Sequence, residues 1–150
     1  MPGHTLDHIA YFADCEEPVL FCGDTLFAGG CGRLFEGDAP MMLKSLDSLA
    51  ALPEKTRVYC AHEYTLANLA FARAAEPNNA QLLQRIEDAE TTRGRGQPTV
   101  PSTLGLELAT NPFMRSRESS LISSLSEQGK LAGDTPEQVF AAVRGWKDDF

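Results

Sequence analysis

The chain holds three imidazoles, His4, His8 and His62. His4 stands in Pro2-Gly3-His4-Thr5, ahead of a short apolar run. His62 follows directly on Arg57-Val58-Tyr59-Cys60, and Asp24 follows Val19-Leu20-Phe21-Cys22 and Gly23. Neutral imidazole and carboxylate are donors that suit zinc, iron or manganese, and a carboxylate has two oxygens to share between cations. Read singly, each residue has an ordinary structural explanation: a lone histidine is usually a hydrogen-bonded core or surface group, and an aspartate after glycine is a common turn former. The separations are too long for a local metal motif. His8, four residues beyond His4, is read as supporting the site from behind at most. A second group is basic. Arg144 and Lys147 are three apart and share a helix face, although spacing alone equally describes a solvated pair near a helix C-terminus.

These groups need rigid elements to hold them. Ile9-Ala10-Tyr11-Phe12 and Val19-Leu20-Phe21-Cys22 are short apolar runs joined by the polar turn Asp14-Cys15-Glu16-Glu17-Pro18, which predicts neighbouring strands. Gly29, Gly30 and Gly32 mark a loop. Asp38 can cap a helix to Leu52 with Pro40 in its first turn and Met42, Leu43, Leu46, Leu49 and Ala50 at helical spacing. Arg57–Cys60 reads as a third strand. Strand, helix, strand predicts an α/β layer. Beyond His62 the texture turns helical: Thr65–Ala75, Ala80–Thr92 behind Asn78 or Asn79, and a helix from Pro136 to about Lys147 behind the capping box Thr135-Pro136-Glu137-Gln138. No strand is expected past residue 62.

The length of 150 residues permits a real core, and 43% hydrophobic with 23% charged residues is ordinary globular composition. A net charge of −8 argues against a nucleic-acid surface. No apolar run suggests a membrane span, and the start lacks a signal-peptide pattern, so a cytoplasmic location is expected. Cys15, Cys22, Cys31 and Cys60 form no C-x-x-C pair and read as free thiols.

The segments Pro2-Gly3-His4-Thr5, Phe21-Cys22-Gly23-Asp24-Thr25-Leu26-Phe27, Gly30-Cys31-Gly32-Arg33 and Val58-Tyr59-Cys60-Ala61-His62-Glu63-Tyr64-Thr65 together resemble glyoxalase II. This is the hydroxyacylglutathione hydrolase branch of the metallo-β-lactamase superfamily. The resemblance continues through Val100-Pro101-Ser102-Thr103, Asn111-Pro112-Phe113-Met114-Arg115 and Val143-Arg144-Gly145-Trp146-Lys147-Asp148. It implies an α/β (α+β) fold: part of a metallo-β-lactamase αββα sandwich over residues 1–62, then an all-helical substrate-binding domain over 63–150. It also implies two divalent metal ions, zinc first and iron or manganese as alternatives. His4 would bind the first metal, His62 the second, and Asp24 would bridge both as the catalytic carboxylate. Two metals about 3.5–4 Å apart can hold a hydroxide that attacks a thioester carbonyl.

The implied reaction turns S-D-lactoylglutathione, an S-2-hydroxyacylglutathione, into glutathione and D-lactate, the second step of methylglyoxal detoxification. Arg33, Arg144 and Lys147 would meet the two carboxylates of the small-molecule substrate, with Tyr64 donating a hydrogen bond. Phe35 stands where many relatives carry a tyrosine. The family's upstream Thr-His-x-His-x-Asp-His segment is not in this sequence. The chain therefore reads as the C-terminal part of such an enzyme, whose partner is an N-terminal half carrying most of the metal ligands. An exposed sheet edge and apolar face are expected, and the chain alone is expected to be inactive. The alternative is a non-catalytic glutathione-binding module or an inert truncated product.

Overall fold

The computed structural model describes residues 1–150 as a mixed α/β fold. Strands β1 (Tyr11–Ala13) and β2 (Val19–Gly23) pair antiparallel, Tyr11 opposite Phe21. Two further short strands, β3 (Leu26–Phe27) and β4 (Gly30–Cys31), form a separate hairpin. The helix α1 (Ala39–Ala50) follows, with the Asp38 side chain accepting from Met41 N. It returns the chain to β5 (Arg57–Cys60), parallel to β2 with Phe21 opposite Tyr59. In a parallel pair both C-terminal ends lie at one edge of the sheet, and this puts Asp24 and His62 on the same side.

The helices α2 (Thr65–Ala75) and α3 (Ala80–Gly94) come next, α3 capped by Asn79 on Leu82 N. The expectation of no strand past residue 62 is corrected here. Ser102–Thr103 forms β6, antiparallel to β5, so the second part of the chain is not all-helical. The ladder is extended by Leu104 N donating to Thr56 O and Gly105 N to Glu54 O, and Thr103 then caps α4 (Leu104–Thr110). Two residues are too few to show a period of two in the sequence, and a proline precedes them. A 3-10 turn (Pro112–Met114), α5 (Ser119–Glu127) and α6 (Pro136–Asp149) complete the chain, and the capping box at Thr135 and Gln138 is formed.

One continuous core runs through both parts of the sequence. It joins Leu20, Cys22 and Val58 of the sheet and Met42, Leu46 and Leu49 of α1 to Phe71, Leu104, Phe113, Leu121, Phe140 and Val143. The opposite face of the sheet is bare. Tyr11 and Phe21 are 67% and 52% exposed, and Phe21 stacks on Tyr59 at 5.3 Å, so a cross-strand aromatic row faces outward. No helix is long and apolar enough to cross a membrane.

Candidate active site

His4, Asp24 and His62 meet at the edge where β2 and β5 end. His4 Nε2 lies 3.9 Å from Asp24 Oδ2, and His62 Nε2 lies 3.6 Å from Asp24 Oδ1. One carboxylate thus shows one oxygen to each imidazole. Each group is held from its backbone. Ser45 Oγ donates to Pro2 O at 2.7 Å, and Gly3 packs so tightly on Met42 that a Cβ there would meet it at 2.8–2.9 Å. Phe35 N donates to His4 O, and His4 Nδ1 donates to Arg33 O at 2.8 Å. That second bond places the ring proton on Nδ1 and leaves the Nε2 lone pair toward Asp24, the tautomer a metal ligand needs.

The Asp24 loop is aimed by a local irregularity. The β2–β5 register slips between Phe21 and Gly23, and Gly23 has φ +53°. Bulges of this kind re-aim the side chains that follow them. His8 Nε2 accepts from Asp24 N at 3.0 Å, so it steadies the loop from behind, as expected. Ala61 N donates to Gly23 O at 3.1 Å and ties the His62 segment to the same loop. His62 itself stacks on Tyr64 with ring centres 4.8 Å apart.

A pocket of about 390 Å³ opens beside the three groups, and Arg33, Tyr64, Arg144 and Lys147 all line it. Lys147 is held below the ordinary lysine value by burial and by the neighbouring charges of Arg144 and Arg33. Arg144 is 4% exposed, and its fork is occupied: one arm donates to Cys31 O at 2.9 Å, the other to Asp148 Oδ1 at 2.9 Å. Arg33 also leans on Asp148, at 3.8 Å. Asp148, itself exposed, is therefore a carboxylate of the chain's own that pairs with two of the pocket's arginines. The Cys31 thiol at the wall is pushed up to about 11 by burial and is no nucleophile.

Three lining residues carry no role in the sequence reading. Phe27 sits 5.3 Å from the Tyr64 ring and 6.0 Å from that of His62. Asn68 donates from α2 to Ala28 O at 3.3 Å, with nothing in its Ala/Leu-rich helix to single it out. Phe35 packs edge-on to His4 at 5.0 Å, in a position where its missing hydroxyl is the only sequence clue.

The pairwise geometry suits one imidazole nitrogen and one carboxylate oxygen on each of two ions. No group of three histidine, cysteine, aspartate or glutamate side chains is placed to hold an ion by itself. The donor types fit divalent metals, and further donors from elsewhere would be needed to close either site.

Comparison with known proteins decides the family. Residues 63–150 match the model of the hydroxyacylglutathione hydrolase C-terminus, and residues 1–62 match that of the metallo-beta-lactamase superfamily. The chain belongs to the hydroxyacylglutathione hydrolase family. A protein of that name from Pseudomonas aeruginosa is 57% identical over 150 residues, the whole of this chain and 58% of the relative. Another from Cupriavidus taiwanensis is 57% identical over 152 residues, again all of this chain and 57% of the relative. The chain thus spans less than two thirds of the length of these hydroxyacylglutathione hydrolases. Among solved structures, ETHE1 from Myxococcus xanthus aligns with a TM-score of 0.50 at 24% identity, covering 98% of this chain and 50% of that one. That likeness concerns the fold. Metallo-beta-lactamase membership implies divalent metal ions for the family.

Proposed function

We propose that this chain supplies the glutathione pocket and part of the metal site of a thioester hydrolase. Its substrate would be an S-2-hydroxyacylglutathione, S-D-lactoylglutathione foremost. Water adds to the thioester carbonyl, the C–S bond breaks, and glutathione and D-lactate leave. The observation that carries this reading is the presence of two features in one pocket. His4 and His62 face a shared Asp24 carboxylate, and Arg33, Arg144 and Lys147 line the same pocket.

His4 and Asp24 are assigned to one metal ion, and Asp24 and His62 to the other, with zinc the first choice and iron or manganese the alternatives. Bound there, such ions would supply Lewis acidity for the carbonyl and a water of lowered pKa. The residues of this chain do the remaining work. Asp24 keeps one oxygen for each side. The Arg33 backbone carbonyl accepts from His4 Nδ1 and fixes the His4 tautomer, while the Arg33 side chain lines the pocket. Lys147 and Arg33 offer charge to the glutathione carboxylates, Arg144 holds the Cys31–Gly32 loop beneath them, and Tyr64 offers a hydroxyl. The four thiols, unpaired throughout, suit the reducing cytoplasm to which we assign the reaction. Polypeptide of the kind found in the remaining length of the relatives is the proposed partner. It would add metal donors and cover the aromatic row of Tyr11, Phe21 and Tyr59.

Glutathione titrated into the 150-residue chain tests the pocket. Saturable binding is expected. Lys147→Ala should weaken it about ten- to a hundred-fold, the loss of one charge-assisted hydrogen bond worth about 1.5–3 kcal/mol. An anion favours charged Lys147, whereas burial and its neighbours favour the neutral form. With the glutathione carboxylates ionised, the Lys147 contribution is therefore full below the lowered Lys147 value and is lost as pH rises through it, before an ordinary lysine near about 10.4 would titrate. The variant should lose that pH dependence. Equal binding by wild type and variant would remove Lys147 from the glutathione site.

A further inference from the structure

The β3–β4 hairpin has only two residues in each strand, yet it carries much of the pocket. Phe27 reaches the rings of His62 and Tyr64. Just beyond β4, Gly32 N donates to Thr25 O, and Gly32 lies directly on Asp24 O and His4 Nδ1. A hairpin this short is not stable by itself.

Its polar backbone is met by side chains from the helical part of the chain. Gly29 N, in the turn at φ +78°, donates to Glu107 Oε1 at 2.8 Å. Asn111 Nδ2 donates to Gly30 O at 3.0 Å and also to Glu107 Oε1 at 3.0 Å. The other oxygen of Glu107 accepts from Arg85 at 2.7 Å and from Ser102 Oγ. Glu107 is fully buried. A buried ion pair is weak evidence for stability, because apolar residues of similar volume often serve as well. What an apolar side chain could not do is accept the Gly29 N–H in a site without water.

We propose that Glu107 is a positioning residue for the pocket: its carboxylate, reaching from α4, fixes the β3–β4 turn and through it the places of Phe27, Gly32 and Asp24. The functional weight of this rests on the reading of the pocket given above. The test reads geometry alone, so the two can fail separately.

The decisive variant is Glu107→Gln. An amide keeps the shape but has one acceptor, so its NH2 must face either the Gly29 and Asn111 donors or those of Arg85 and Ser102. Glu76→Gln is the matched control. Glu76 is also buried, paired to Arg115 at 2.9 and 3.0 Å and accepting from Ser120 Oγ of α5, but it does not line the pocket. Both variants should lower the melting temperature. Only Glu107→Gln should speed amide exchange at Gly29, by tenfold or more beyond the change in global opening, and move the ring resonances of Phe27 and His62. If neither Gly29 exchange nor those resonances change, or if Glu76→Gln changes them equally, the proposal is overturned. Should Glu107→Gln fail to fold, the wild-type chain decides. Gly29 exchanging within tenfold of the core amides of β2 supports the role. Gly29 exchanging as fast as Gly129, whose N–H has only a local turn bond to Ser126 O at 3.0 Å, overturns it.

Discussion

Gly32→Ala is expected to cost about 3 kcal/mol of stability and to displace Asp24, the upper part of the usual range for overpacking. Gly32 has no unusual φ; what it needs is room. A Cβ there would lie 2.0 Å from the Asp24 carbonyl oxygen and 2.9 Å from His4 Nδ1. The first of these is backbone and cannot swing aside as a side-chain end would. Relief requires moving either the Asp24–Thr25 segment or β4, and both are tied, the one by His8 and the other by Arg144. The same substitution at Gly145 should have the opposite sign. That glycine is inside α6 with nothing within 4 Å of an added Cβ, so alanine there should add about 0.5–1 kcal/mol. Denaturant melts of the two variants check both. Equal effects would mean that the close contact at Gly32 relaxes freely. A lowered glutathione affinity in Gly32→Ala alone would show that the strain reaches the pocket.

The contrast shows which parts of the molecule the sequence makes readable. Helix starts are legible where a side chain does the capping, as at Asp38, Asn79 and Thr135, because the residue type and the spacing are the mechanism. His4, Asp24 and His62 are legible as candidates because each sits beside a glycine or at the end of an apolar run. The meeting of Asp24 and His62 at one edge follows from the parallel pairing of β2 and β5, which a strand–helix–strand order predicts, whereas His4 is brought there by contacts of its segment with Ser45 and Phe35 that no local pattern announces. β6 is not legible, since two residues carry no pattern. Nor are Asn68, Glu107 and Asn111, whose types suggest solvent. Their burial depends on where helices from the second half of the chain meet a hairpin from the first, and no local signal encodes that. Arg144 lies between these cases. Its spacing with Lys147 marks a helix face, but only the structure shows its donors already taken by Cys31 O, Gly32 O and Asp148.

The largest effect expected of any comparison is between this chain alone and a complete site. The 150 residues by themselves should hydrolyse S-D-lactoylglutathione about six orders of magnitude or more below an enzymatic rate, the lower end of the rate enhancement typical of enzymes. Each proposed metal position has one imidazole nitrogen and one oxygen of a shared carboxylate, and no third side chain stands close enough to join them. Catalytic zinc sites normally have three protein ligands, so binding here should be weak and readily lost to a chelator. On the proposed reading, activation of water and stabilisation of the oxyanion would both depend on these ions and would be lost together. The measurement is bound metal and thioester cleavage for the purified chain, with and without added polypeptide covering the remainder of its relatives' length. Activity that appears only on mixing, together with tight metal binding, is the expected result. Two tightly bound ions and turnover by the chain alone would overturn the assignment of an incomplete site. Glutathione binding with no turnover even on mixing would instead favour a non-catalytic binding module, in which Arg33, Tyr64 and Lys147 still act and the shared Asp24 carboxylate does not.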